Sequence, residues 1–233
     1  MTNAEIDTLN VGVVGHIDHG KTTLLHKLSG KWTDTHSEEM KRGITIKLGY
    51  ADITLYEDKG IYTVNKKGRA VRHVSFIDAP GHEMLMSTML SGASLIDAAI
   101  LVVAANEGIK PQTREHLIAL QAKKVSNLIV VQNKIDLISK DEVRRNYQEI
   151  QKFLKGRFDK AVIIPVSAQQ DVNIEKVYEA LCEIPIPKRI VSGKPIFIVA
   201  RSFDVNRPGT KPSDLHGTVL GGTLKQGTLK IGD

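Results

Sequence analysis

Cysteine is almost absent from this sequence, which has a single one, Cys182, among its 233 residues. One thiol can form neither an intramolecular disulfide nor a cluster of thiolates around a metal ion, so both are excluded within this chain. Cys182 lies in an apolar helical pattern, and we interpret it as a small core residue. A reducing cytoplasm is therefore the expected setting.

Long hydrophobic runs are also missing. No apolar run approaches the length that crosses a bilayer, so we expect no membrane partner. Residues 1–7 carry acidic side chains and no hydrophobic stretch, and we therefore expect no secretory signal peptide. With 41% hydrophobic and 25% charged residues, the composition is ordinary for a soluble globular protein.

The charge is unbalanced in the positive direction, with a formal net charge of +6. A basic excess favours contact with a polyanion, and RNA is the obvious candidate. A length of 233 residues is sufficient for a sizeable core and suggests one or two domains.

Apolar runs alternate with helical patterns through most of the chain. Buried strands are predicted in three places, residues 98–104, 128–132 and 161–166. Pro111 is a favourable first helical residue, Ser139 and Glu142 form a capping box, and Asn173 is expected to cap a further helix. Apolar strands separated by helices predict a parallel sheet that is covered on both faces. We therefore expect residues 1–187 to form a doubly wound α/β domain with a mostly parallel sheet.

The pattern changes after a Pro- and Lys-containing linker. Residues 188–233 show only strand patterns with Gly-rich and Pro-containing connections. Three strands are predicted, at residues 196–201, 217–220 and 228–231. Three strands cannot easily close a barrel, so we interpret this region as the truncated first part of a second, β-barrel domain.

Residues 15–22, which read GHIDHGKT, match the pattern of a phosphate-binding loop. They stand between a predicted strand and a predicted helix, as that pattern requires. Glycines let the backbone N–H groups point at phosphate, and the helix adds its positive dipole end. Lys21 would place its charge on the β- and γ-phosphates, and the Thr22 hydroxyl would ligate Mg²⁺. The residues of this loop that we expect to bind nucleotide are Asp18, His19, Gly20, Lys21, Thr22 and Thr23.

Two further motifs suit a magnesium nucleotide. Asp78 directly follows a predicted strand over residues 71–77, and its carboxylate can orient Mg²⁺ through water. Gly81, three residues later, offers an N–H that can sense the γ-phosphate. Thr45 could complete the Mg²⁺ shell with its hydroxyl when a γ-phosphate is present.

The sequence Asn133-Lys134-Ile135-Asp136 follows a buried strand and points to guanine. The Asp136 carboxylate would accept hydrogen bonds from N1–H and the exocyclic amine, a donor pair that adenine lacks. Asn133 would brace the loop, and the Lys134 stem would cover the face of the base. After the next buried strand, Ser167, Ala168 and Gln169 supply backbone donors for the guanine carbonyl.

Five motifs in this order resemble the translational GTPase family. Within that family, the residues at 30–39 and 41–52 resemble most the γ subunits of archaeal translation initiation factor 2. The resemblance covers essentially the whole chain. It implies a GTP hydrolase that binds GTP, GDP and Mg²⁺, with initiator methionyl-tRNA, the small ribosomal subunit and the α and β subunits of a heterotrimer as partners.

The same resemblance implies roles for individual residues. His82 would position the attacking water, with Ile17 and Ile44 as an apolar gate around it. Asp78 and Lys21 complete the implied catalytic set. A second Mg²⁺ would be held near Asp18 and the carbonyl of Gly43.

Residues 58–72 depart from the family. Its members usually carry a four-cysteine zinc knuckle there, whereas this segment contains no cysteine and has two turns rich in Lys and Gly. We therefore expect no zinc.

Two other functions remain open. A selenocysteine-specific elongation factor shares the GTPase motifs, although residues 32–39 and the basic pair Lys41-Arg42 favour the initiation factor. A nucleotide-gated binding module that hardly turns over is the second alternative.

Overall fold

The computed structural model describes residues 6–30, 49–78, 96–203, 205–206, 209–230 and 232. The chain divides into two compact units, Met1–Ile186 and Pro187–Asp233. Within the described residues, no helix is both long and apolar enough to span a membrane.

The first unit contains a seven-stranded sheet with the order β3-β2-β4-β1-β5-β6-β7. Its strands are β1 Asp7–Gly15, β2 Gly49–Asp58, β3 Ile61–Thr63, β4 Arg69–Asp78, β5 Ala98–Ala104, β6 Asn127–Asn133 and β7 Val162–Pro165. Five neighbouring strands, β4, β1, β5, β6 and β7, run parallel. At one edge of the sheet, β2 pairs antiparallel with both β4 and β3. The predicted doubly wound α/β class with a mostly parallel sheet is confirmed.

Helices cover both faces of this sheet. They are α1 Lys21–Ser29, α2 Pro111–Ala122, α3 Lys140–Leu154 and α4 Ile174–Glu183. Apolar side chains of α1 and α4 belong to one core cluster, and those of α2 and α3 belong to the other. Every residue of β5 is buried, as expected for a strand between two helical layers.

Two helix starts show how sequence sets the boundaries. The expected capping box opens α3: Ser139 N–H donates to Glu142 Oε2 at 2.9 Å, and Glu142 N–H donates to Ser139 Oγ at 3.4 Å. Asn173 differs from the expectation, because its side chain makes no cap at α4. Its backbone is left-handed, with φ 60°, and its side-chain amide donates to the Pro165 carbonyl at 2.7 Å.

The second unit contains a two-stranded antiparallel sheet. Its strands are β8 Ile196–Phe203 and β9 Val219–Gln226, with a short 3-10 turn at Pro212–Asp214 between them. This agrees with the predicted change to an all-β region. The third predicted strand is not observed in its described part, because residues 228–230 lie outside any strand.

Candidate nucleotide-binding site

The predicted site lies at one edge of the sheet. The parallel strands β1, β4, β6 and β7 end at Gly15, Asp78, Asn133 and Pro165. Parallel strands bring their carboxyl ends to the same edge, which is where open α/β sheets bind ligands. The fold therefore gathers the loops that follow these strands, although their sequences are far apart.

The phosphate loop requires glycine at two positions, 15 and 20. Gly15 has φ +142°, and a Cβ there would lie 2.3 Å from the Val102 carbonyl oxygen. Gly20 has φ +88°, and a Cβ there would lie 2.4 Å from Asn133 Nδ2. Any larger residue would displace these neighbours, so the loop can take this shape only with glycine.

Lys21 holds its ammonium inside the loop. Its Nζ donates to the carbonyls of Gly15 at 2.9 Å and of His16 at 2.8 Å, and only 7% of the residue is exposed. Two fixed acceptors limit the freedom of the lysine chain. The charge is thus placed in advance at the loop that would wrap phosphate.

Thr22 and Asp78 meet beside this loop. The Thr22 hydroxyl donates to Asp78 Oδ2 at 3.4 Å, and Asp78 is fully buried. A hydroxyl and a carboxylate in contact are the hard oxygen donors that Mg²⁺ takes, so this pair fits such an ion. Five other residues that we expect near the phosphates lie outside the described residues: Gly43, Ile44, Thr45, Gly81 and His82.

Asn133 joins the two halves of the site, the phosphate loop and the loops expected to bind the base. Its Nδ2 donates to the His19 carbonyl at 3.0 Å, and its Oδ1 accepts from Ala168 N–H at 3.1 Å. Only 2% of Asn133 is exposed. The side chain therefore ties the phosphate loop to the segment of Ser167 and Ala168, in the bracing position that its motif suggests.

The predicted base-recognition residues are more open. Lys134 has a left-handed backbone, with φ 62°, and begins the short 3-10 helix Ile135–Leu137. Asp136 in that turn is exposed, as is Gln169, whereas Ser167 is fully buried and accepts Gln170 N–H at 3.2 Å. The exposed carboxylate is accessible to the edge of a base.

The sequence motifs missed two side chains of α2 that support the phosphate loop. Gly15 N–H donates to His116 Nδ1 at 3.0 Å, and Ile17 N–H donates to Gln112 Oε1 at 3.2 Å. Because Nδ1 accepts, the ring is neutral, and burial lowers the pKa of His116 to about 4. One signal was available: Gln112 and His116 stand four residues apart, on one face of the helix.

His19 is another buried residue of the loop. It is fully buried, its Nδ1 lies 3.3 Å from the Val102 carbonyl, and burial lowers its pKa to about 4. His19 is therefore neutral near pH 7. By contrast, Asp18 is exposed with φ 60°, and Thr23 is half-buried in the first turn of α1.

Glu107, which belongs to none of the motifs, lies beside both halves. Its Oε2 is 3.5 Å from Lys110 Nζ and 3.9 Å from His19 Nε2. Its Oε1 is 4.0 Å from Lys134 Nζ. A single carboxylate thus faces the phosphate loop, the base loop and the start of α2.

The sequence of this domain matches the elongation factor Tu GTP binding domain over residues 6–186. The chain belongs to this family. The predicted membership of the translational GTPases is confirmed, and with it a domain that binds GTP and GDP.

Individual members of the family refine this result. The chain is 52% identical over 248 residues to translation initiation factor 2 subunit gamma of Archaeoglobus fulgidus, and 54% identical over 240 residues to that of Methanococcus vannielii. These alignments cover 100% and 97% of the chain, and the chain spans 58% of the length of each relative. The predicted resemblance to archaeal γ subunits is confirmed.

A solved structure gives the same fold. The crystal structure of a bacterial selenocysteine-specific elongation factor, EF-Sec, is similar with a TM-score of 0.80 and 31% identity. The match covers 98% of this chain and 36% of that one.

Proposed function

We propose that this chain is the GTPase part of an archaeal translation initiation factor 2 γ subunit. In the complete factor it would deliver initiator methionyl-tRNA to the small ribosomal subunit in the cytoplasm, together with α and β subunits. Residues 1–187 would form the GTP-binding domain, and residues 188–233 would form a linker and the first part of a β-barrel domain.

One observation carries the proposal. Asn133, from the guanine motif, is hydrogen-bonded both to the phosphate loop through His19 and to the Ser167 segment through Ala168. Three motifs distant in sequence are therefore linked by one buried amide, at the edge where nucleotides bind. The choice of initiation is supported by identities of 52% and 54% to γ subunits, against 31% to the selenocysteine factor.

The residues divide the work by chemistry. Lys21 and the loop N–H groups would hold the β- and γ-phosphates, and Asp136 would select guanine. The Thr22 and Thr45 hydroxyls would hold Mg²⁺, and the Asp78 carboxylate would orient the ion through water. The ion would neutralise charge between the phosphates when bound. Asp18 and the Gly43 carbonyl would serve a second Mg²⁺.

His82 would orient the water that attacks the γ-phosphate. No arginine stands in a motif position that would stabilise the transition state, and such a residue is worth roughly 10³–10⁵ in rate where it occurs. We therefore expect slow intrinsic hydrolysis that is stimulated by the ribosomal complex.

Replacement of His82 tests the proposal. His82→Ala should leave the affinity for a fluorescent GTP analogue unchanged and abolish the hydrolysis that ribosomal complexes stimulate. His73→Ala is the control, because His73 pairs with Thr8 far from the carboxyl end of β4.

Each outcome is informative. Stimulated turnover that survives in His82→Ala removes the proposed role of His82. A wild-type chain that binds GTP and never turns it over would instead be a nucleotide-gated binding module.

A further inference from the structure

Glu107 lies where the two halves of the site meet. Its two carboxylate oxygens face different groups: Oε1 is 4.0 Å from Lys134 Nζ, and Oε2 is 3.5 Å from Lys110 Nζ. All three side chains are only partly exposed, at 31% for Glu107, 28% for Lys134 and 37% for Lys110. Partial burial reduces solvent screening of these charges.

The backbone that carries Glu107 is fixed. Ala105 N–H donates to the Asn133 carbonyl at 2.7 Å, which anchors the segment one residue before Lys134. The N–H groups of Glu107 and Gly108 both donate to the Ala104 carbonyl, at 3.1 and 2.8 Å, and close a turn after β5. The Glu107 side chain thus starts from a defined backbone position beside the base loop.

The Glu107 carboxylate restricts the conformations of the Lys134 side chain. A lysine stem has many rotamers, and ordering it costs conformational entropy. A carboxylate that faces the ammonium favours the rotamers that extend toward it. The aliphatic stem can then cover an apolar ring face while its charged head remains near water.

We propose that Glu107 is a positioning residue for nucleotide binding, and that its carboxylate holds the Lys134 ammonium so that the lysine stem lies over the face of the guanine base. This inference rests on the proposed function, because it takes Lys134 to line the base site. Glu107 itself contacts no part of the nucleotide in this arrangement.

The dissociation rate of a fluorescent GDP tests the proposal. In Glu107→Gln, GDP should dissociate about two- to fivefold faster, the range for a partly exposed ion pair, with most of the effect in the off-rate. Glu179→Gln is the matched control. It removes a Lys176 ion pair of 2.8 Å on α4 and should release GDP at the wild-type rate.

Double variants identify the partner. In a Lys134→Gln background, Glu107→Gln should cause no further acceleration, because the ammonium that it positions is gone. In a Lys110→Gln background, the effect of Glu107→Gln should persist. Glu107→Asp, which keeps the charge, should restore part of the wild-type rate.

The choice of base separates positioning from a general loosening of the loop. Guanine and hypoxanthine present the same ring face, so GDP and inosine diphosphate should be released faster by the same factor. A displaced loop would also move Asp136 and would change the ratio between the two nucleotides.

Three results overturn the proposal: an unchanged GDP off-rate in Glu107→Gln, an effect that persists in full without Lys134, or a changed ratio of GDP to inosine diphosphate. Failure of the wild-type chain to bind GDP would overturn the proposed function instead.

Discussion

The phosphate side and the base side of the site are built differently. On the phosphate side, Lys21, His19 and Asp78 are buried and fixed by contacts with neighbouring elements. On the base side, Asp136 and Gln169 are exposed on short turns. Phosphate oxygens are the same in every nucleotide, so a positive charge fixed in advance binds them all. Selection of a base instead needs a carboxylate that the base can reach. We therefore expect phosphate-side substitutions to affect folding, and base-side substitutions to affect nucleotide affinity and selectivity without affecting folding.

Asp136→Asn should give the largest effect and should be confined to the base side. GTP and GDP affinity should fall by at least about 10²-fold, because the amide keeps only one acceptor oxygen and its NH₂ group would face a donor on guanine. Binding of xanthosine triphosphate should improve, since an amide can pair with the xanthine carbonyl. Fluorescent-nucleotide titrations measure both. The thermal midpoint should not change, and an unchanged GTP affinity would refute the assignment of Asp136.

Asn133→Ala should damage both sides at once. It leaves the buried His19 carbonyl and Ala168 N–H without this partner, and each such loss costs about 1–3 kcal/mol. Urea unfolding should show a loss of about 2–4 kcal/mol, with weaker binding of both GDP and inosine diphosphate.

Asn65→Ala, in an exposed turn, is the control for that substitution. If Asn133→Ala retained wild-type stability while losing affinity, the link between the halves would serve binding only.

In a pH series the contribution of a single histidine should be the smallest of these effects, and it reports on the phosphate side. Burial lowers the pKa of His19 and of His116 from 6.5 to about 4, so the unfolded chain binds more protons between these values. The contribution of these two histidines to the free energy of unfolding should therefore be complete above pH 6.5 and should be lost as the pH falls toward 4. Between pH 7 and pH 5, each histidine should account for roughly 1–2 kcal/mol.

His116→Gln separates this contribution from other titrating groups. The variant should lose part of the decline when urea unfolding is followed from pH 7 to pH 5. An identical decline in the wild type and the variant would show that His116 does not titrate in this way.

Motif spacing predicted where Lys21, Thr22, Asp78 and Asn133 come together, because the carboxyl ends of parallel strands meet at one edge. It did not predict Gln112 and His116, whose partners in the phosphate loop are 95 and 101 positions away. These two residues belong to no nucleotide-binding motif, and their spacing of four shows only that they share a helix face, not what that face contacts.

Two predictions from local sequence were wrong because the backbone adopts a left-handed conformation at the positions concerned. Asn173 has a typical capping side chain, but its left-handed backbone directs the amide to the Pro165 carbonyl. Residues 228–230 read as a strand from composition, although β9 ends at Gln226 and the chain turns at Gly227, with φ +76°. Both differences come from backbone conformations that a residue-by-residue pattern does not contain.

The position of β1 in the sheet has a consequence for synthesis. β1 lies at the centre, paired with β4 and β5, which follow it far along the chain. While the ribosome makes the protein, β1 must wait for both partners, and the phosphate loop acquires its brace only when Asn133 and Ala168 emerge. At about 5–20 residues per second, this takes roughly 10–30 s from Asp7 to Ala168. β1 is thus made well before the partners that complete its part of the site, and a nascent chain should acquire nucleotide only after Ala168 has emerged.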